Sequence, residues 1–125
     1  MNQKQTLLCG SLLGLLGVAF GAFGAHALKD VLLQNGRVDT YDLAVRYQFY
    51  HALALLLIGL LMEKFGEVTF RWASLLLFAG VIIFSGSLFL FALTNTTSFA
   101  MITPLGGVLM LLGWGSLFYS IVSKK

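Results

Sequence analysis

Charge is what this chain has least of. Only 10% of its 125 residues are Asp, Glu, Lys or Arg, against 58% hydrophobic residues. A soluble domain carries about 25% charged residues. So small a charged complement cannot cover a water-facing surface, and lipid must be the solvent. A single cysteine, Cys9, excludes an internal disulfide and has no metal-ligand spacing around it. Leu7-Leu8-Cys9 is a poor acylation site, because Leu8 is bulky where a small residue is needed. All five acids, Asp30, Asp39, Asp42, Glu63 and Glu67, stand outside the long apolar runs. A proton-coupled exporter generally needs one within the membrane. The net charge of +3 reads as anchoring charge on the cytoplasmic side, not as a nucleic-acid surface.

What is present is four apolar runs, at residues 6–28, 43–62, 70–93 and 104–122. Each matches the roughly 20 apolar residues that a membrane helix needs. Backbone in hydrocarbon must satisfy its own hydrogen bonds, so each run is read as a helix. The expected fold is all-α, a four-helix transmembrane bundle forming one integral membrane domain over residues 1–125. The longest polar link is residues 29–42. Asn35-Gly36 marks a turn in it, and Asp39 is placed to cap the helix that follows. Asp42 and Arg46 are four apart, an acid-then-base pair on that helix. Thr103-Pro104 has the form of an N-cap followed by proline at the first helical position. The uncharged stretch before it, Phe99 to Ile102, is expected to rest at the interface. Lys4, Lys64, Arg71, Lys124 and Lys125 fall on the side of the termini, and Lys29, Arg37 and Arg46 on the other. Five against three places both termini in the cytoplasm.

The first run ends in Ala25-His26-Ala27, which has the small-x-small form of a signal-peptidase site. A signal peptide has an apolar stretch of about 7–15 residues, and the uncharged run from Gln5 to Ala27 is longer. Gly10, Gly14, Gly17, Gly21 and Gly24 are spaced four, three, four and three. At about 100° per residue they fill a stripe roughly 80° wide, a seam along which membrane helices approach closely. A cleaved leader has no use for such a seam, so the helix is expected to be retained. The opposite face carries Leu15, Ala19, Ala22 and His26. Two close-packing faces predict a central position for this helix. The seam could equally serve packing between subunits, which makes a second copy of the chain a candidate partner.

Polar side chains gather toward the end of the spans away from the termini. His26 lies at the end of the first run. Arg46, Tyr47, Gln48, Tyr50 and His51 lie in the same half of the second, Ser85 and Ser87 in that half of the third, and Thr103 starts the fourth. Tyr47, Gln48 and His51 share a helical face. Buried imidazoles and amides need partners, and a hydrogen-bonded cluster of His26, Gln48, His51 and Ser85 or Ser87 is the simplest way to supply them. The plainer reading is that His26 bonds a carbonyl or water at a helix end, and that the serines bond within their own helices. Trp114 is too central for an interfacial aromatic and is read as packing.

GAFGAHAL (21–28), YQFYHALALLLIG (47–59), FSGSLF (84–89) and ITPLGGVLMLLGW (102–114) resemble the motif blocks of the domain of unknown function 423 family. These are small bacterial membrane proteins, similar to the eukaryotic transmembrane protein 256. The resemblance covers nearly the whole chain. One departure is Phe89, where related chains often have tyrosine. The resemblance implies a retained four-helix protein of the bacterial inner membrane and supplies no reaction or ligand.

No nucleophile, base and orienting group stand together, and there is no phosphate loop, so an enzyme is not expected. The residues favour a binding or structural membrane protein. Its polar cluster would hold a small hydrophobic ligand, a lipid head group or a partner helix. Transport, with histidine carrying protons, is the alternative. Haem or metal held by His26 and His51 ranks below it, because two histidines alone make a thin site. No cofactor is expected.

Overall fold

The computed structural model of the protein describes residues 1–124. Six helices follow in order: α1 (Gln3–Ala25), α2 (Lys29–Asn35), α3 (Val38–Phe65), α4 (Glu67–Thr94), α5 (Thr97–Ala100) and α6 (Thr103–Val122). No strand occurs among the described residues. Four helical segments are long and apolar enough to cross a membrane: α1, α3, α4 and α5 with α6.

The helix ends follow from local chemistry. Asn2 and Gln5 form a reciprocal capping box at the start of α1, with the Gln5 N–H donating to Asn2 Oδ1 at 2.8 Å. α1 stops at Ala25, where His26 leaves helical backbone and the Leu28 N–H returns to the Phe23 carbonyl at 2.8 Å. The link that follows contains α2, which ends at Gly36 with φ +67°. Only glycine adopts that conformation freely, so the Asn35-Gly36 turn is a helix terminus. Asn35 then donates to the carbonyls of Ala92 and Leu93 at 3.0 and 3.2 Å. It thereby satisfies the last turn of α4, whose end carbonyls have no partner of their own.

α3 starts at Val38, five residues before the apolar run at 43, and continues to Phe65. Water and head groups satisfy that polar first turn, so hydropathy does not see it. Arg37 stands at its N-cap and Asp39 lies inside the first turn with no capping bond, which corrects the expected cap. At about 1.5 Å per residue, α3 and α4 are each roughly 42 Å long. They exceed a hydrocarbon core of about 30 Å and end in the head-group regions.

The four long helices form an open bundle. α1 packs on α3, α3 on α4, and α4 on α6, while α1 does not meet α6 and the backbones of α3 and α6 do not approach each other. The core lies along the α3–α4 contact, with Leu55, Ile58, Met62, Phe70, Ala73, Leu77 and Val81 buried. α1 is a flank of the bundle, not its centre. Leu15 is 68% exposed and Ala22 and His26 are also exposed. Small residues tolerate lipid as well as a helix, so a second small-residue face does not imply a second neighbour.

The glycine seam of α1 faces α3 and is used at every seventh residue. A methyl group on Gly10 would lie 3.0 Å from the Ala52 carbonyl oxygen, and one on Gly17 would lie 3.0 Å from the Phe49 ring. Gly24 packs on the Tyr41 ring, whose hydroxyl donates to the Phe20 carbonyl. Gly21 makes ordinary contact with Val45, and Gly14 touches nothing. The tightest backbone approach is elsewhere, between α4 and α6. A methyl on Gly106 would lie 2.8 Å from the Gly80 carbonyl oxygen, and one on Gly113 would lie 2.9 Å from the Leu77 backbone nitrogen. Neighbouring backbone cannot move aside as a side chain can. Gly106→Ala is therefore expected to push α4 and α6 apart and cost about 1–3 kcal/mol. Gly14→Ala should leave the thermal midpoint in detergent unchanged or higher. Equal midpoints for Gly106→Ala and the parent would refute the tight crossing.

Candidate functional site

The polar side chains of the spans do not converge. Gln48 is buried and donates its amide across to the Leu13 carbonyl of α1 at 2.8 Å. Ser85 donates from α4 to the Ala44 carbonyl of α3 at 2.8 Å. Ser87 donates to the Phe84 carbonyl of its own helix at 2.9 Å and stands 2.6 Å from Thr103 Oγ1. Its proton is then committed, so Thr103 donates to it. Thr103 is the first residue of α6 with Ile102 at the N-cap, and its hydroxyl ties α6 to α4 instead of capping. His26 is exposed at the end of α1, and Arg46 and Tyr50 also face outward. α1 meets α3 near Tyr41 at that depth, and His51 lies roughly 15 Å farther along α3. The expected cluster of His26, Gln48, His51 and the serines is thus replaced by separate ties. Gln48 and Ser85 each find a carbonyl of the adjacent helix, while Ser87 bonds its own helix and Thr103.

His51 is the one imidazole inside the bundle, 3% exposed. The full length of α3 puts it at that helix's midpoint, deeper than the end-half position expected from the apolar run. Trp114 of α6 donates its indole N–H to His51 Nε2 at 3.1 Å. Nε2 is therefore an acceptor, and the ring proton sits on Nδ1, which donates to the Tyr47 carbonyl at 2.8 Å. Both ring nitrogens are used and the imidazole is neutral. The Tyr47 ring stacks on it at 6.0 Å and the Trp114 ring meets it edge-on at 5.8 Å. Trp114 was the partner that sequence reasoning missed. The signal was there: an indole N–H deep in an apolar span needs an acceptor.

Polarity is not confined to one end. Thr6, Ser74 and Ser120 are buried near the end that carries the termini. Ser120 bonds the Thr69 carbonyl of α4 at 2.9 Å, and Thr6 and Ser74 bond carbonyls within their own helices. No buried polar side-chain atom among the described residues lacks a partner.

The gap between α3 and α6 leaves a groove of about 510 Å³. Tyr47 and His51 line it from α3, and Phe84 of α4 lies beneath. Pro104, Gly107, Val108, Leu111 and Trp114 line it from α6. A methyl group on Gly107 would meet nothing within 4 Å, so the groove wall is open there. The size falls within the range of small-molecule sites, about 300–1,000 Å³. A smaller cleft of about 160 Å³ between α1 and α4 is lined by Gln48, Ser85 and Phe89. Phe89 packs edge-on against Phe20 and Tyr41, each at 5.1 Å.

Four apolar helices joined by inter-helix hydrogen bonds, with both described ends at one side, define a multi-pass helical membrane protein. The chain belongs to the DUF423 family, described as a protein of unknown function, whose pattern matches residues 20–107. It is 42% identical to a UPF0382 membrane protein of Staphylococcus epidermidis, over 90% of each chain. It is 34% identical to the UPF0382 inner membrane protein YgdD of Escherichia coli K12, over 100% of this chain and 95% of the relative. No solved structure matches it. The family resemblance read from the four motif blocks is correct, and the protein is a multi-pass protein of the bacterial inner membrane.

The His51–Trp114 bond is the sole polar tie seen between α3 and α6 among the described residues. A double-mutant cycle with Trp114→Phe and His51→Leu, read by unfolding in micelles, should give a coupling of roughly 0.6–1.7 kcal/mol. Strict additivity would show that the bond contributes nothing.

Proposed function

We propose that this protein is a non-enzymatic binding protein of the membrane, and that its ligand site is the groove between α3 and α6. The observation that carries the reading is that groove: about 510 Å³, walled by two helices whose backbones do not touch. Its lining is apolar apart from Tyr47, His51 and the Trp114 indole. Such a slot, open sideways to the bilayer, suits a small hydrophobic molecule or a lipid chain. The absence of chemistry in this reading is supported by the state of the polar groups. His51 has no free nitrogen, and the Ser85 and Ser87 protons are committed to carbonyls, so none is poised as base or nucleophile.

The test uses Gly107→Leu, whose Cβ enters open space at the groove wall and whose remaining atoms are expected to occupy the groove. Native mass spectra of the parent released from mild detergent should carry a bound lipid or apolar adduct. Gly107→Leu should lose it while keeping its helix content and thermal midpoint. An adduct retained equally by both proteins would overturn the groove as the site.

The same reading puts both termini in the cytoplasm. The described termini share one end of the bundle: the Met1 ammonium donates to the Arg71 carbonyl at 3.1 Å and Lys124 Nζ to the Phe65 carbonyl at 2.9 Å. Lys4, Lys64, Arg71 and Lys124 belong to that end, and Lys125 lies outside the described residues. The positive-inside rule then orients the bundle. A C-terminal alkaline phosphatase fusion should be inactive and a C-terminal fluorescent-protein fusion bright. The reverse pattern would invert the topology.

A further inference from the structure

The groove has an unusual polar inventory. His51 and Trp114 answer each other, so neither offers a bond to an occupant. Tyr47 is different. Its ring forms part of the groove wall, held 4.7 Å from Phe84 and stacked on His51. Its hydroxyl has no hydrogen-bond partner among the described residues, and it is not sealed off, since no buried polar atom is left unpaired. The groove therefore presents one open O–H donor in otherwise apolar or satisfied surroundings. A phenol in hydrocarbon gains by finding an acceptor.

Depth restricts which acceptor that can be. With α3 centred on the bilayer, Tyr47 sits about 7 Å from the midplane on the side away from the termini. The hydrocarbon boundary lies about 15 Å out. Helical side chains lean toward the N-terminus of their helix, which for α3 is that same boundary. The hydroxyl thus points up from within the hydrocarbon, below the phosphates and toward the level where acyl chains join their glycerol. The acceptor at that level is the neutral ester carbonyl. The rest of the groove, past Gly107 to Leu111 and Trp114, runs deeper and apolar, as an acyl chain does.

We propose that the groove holds one acyl chain of a glycerophospholipid from the surrounding bilayer, with its ester carbonyl accepting the Tyr47 hydroxyl. This rests on the groove being the binding site and adds the ligand's class and the residue that recognises it. The lipid enters sideways without leaving the membrane, so no aqueous path is needed. The specificity it produces is for ester-linked over ether-linked chains, because an ether lipid of the same length fills the groove but offers a poorer acceptor.

Trp114 lines the groove and is 44% exposed, which makes it the reporter. In a Trp72→Phe background it is the sole tryptophan. The protein is reconstituted in phosphatidylcholine vesicles doped with a lipid brominated on its acyl chain, either ester-linked or the matched ether-linked form. The expected result is quenching of Trp114 above that of the groove-filled Gly107→Leu control. The ester form should be favoured about two- to tenfold, the range of one neutral hydrogen bond. Tyr47→Phe should abolish that preference and leave helix content and overall quenching in place. Equal quenching by the two lipids in the parent would overturn the carbonyl contact while leaving the groove reading intact. An ester preference that survives Tyr47→Phe would overturn the role of Tyr47. Quenching no greater than in Gly107→Leu would sink the groove reading itself.

Discussion

Hydrocarbon gives a polar group nothing to bond to, and this bundle is arranged around that constraint. Each helix interface carries its own polar tie. Gln48 links α3 to α1, Ser85 links α4 to α3, and Thr103 and Ser120 link the two ends of α6 to α4. Asn35 closes the end of α4 from the link between α1 and α3. Between these ties the packing is apolar, with Leu55, Ile58, Phe70 and Leu77 sealed in the centre. In lipid, apolar contact distinguishes a neighbouring helix only weakly from a lipid tail. The directional bonds and the glycine approaches therefore specify which faces meet.

The His51–Trp114 bond is the exception, and it borders the groove. The other ties join helices already in contact along their backbones. This one spans helices whose backbones stay apart, so it closes the bottom of a gap instead of reinforcing a seam. The cause lies in α4. Gly80 and Gly106 let α6 sink close onto α4, and α3 packs on a different side of the same helix. α6 is thereby held away from α3, and two large aromatic side chains, Tyr47 and Trp114, reach into the space between.

The number and order of the spans were legible because each apolar run is long and free of Asp, Glu and Lys, with Arg46 and Arg71 confined to run ends. The ends were not. The first turn of α3, from Val38 to Asp42, is polar and looks like loop, and α2 is a seven-residue helix within a charged link. The α1 seam was legible because five glycines repeat regularly, though Gly14 proved to face nothing. The tighter α4–α6 approach was hidden, because a lone glycine such as Gly80 has no period. Of the polar residues singled out, Ser87 and Thr103 do pair, but Gln48, His51 and Ser85 each bond a different partner and His26 is exposed. Periodicity assigns a residue to a face without saying which neighbour that face meets. Gln48 and His51, close on one helical wheel, bond α1 and α6 respectively.

These separate ties bear on how an occupant of the groove would act. α6 is held to the remainder of the bundle through α4 and, on the flank facing α3, through one indole–imidazole bond within the span and the Lys124–Phe65 contact just past its end. A molecule lying between α3 and α6 touches both and adds contact where the protein has least. Whatever binds that arrangement and not a splayed one stabilises it by mass action. The groove reading thus assigns lipid a structural part as well as a bound one: it would fill the layer that the open bundle leaves between its second and fourth spans. On that reading selectivity would come from the width of a gap set by Gly80 and Gly106 and from one phenol at its upper wall.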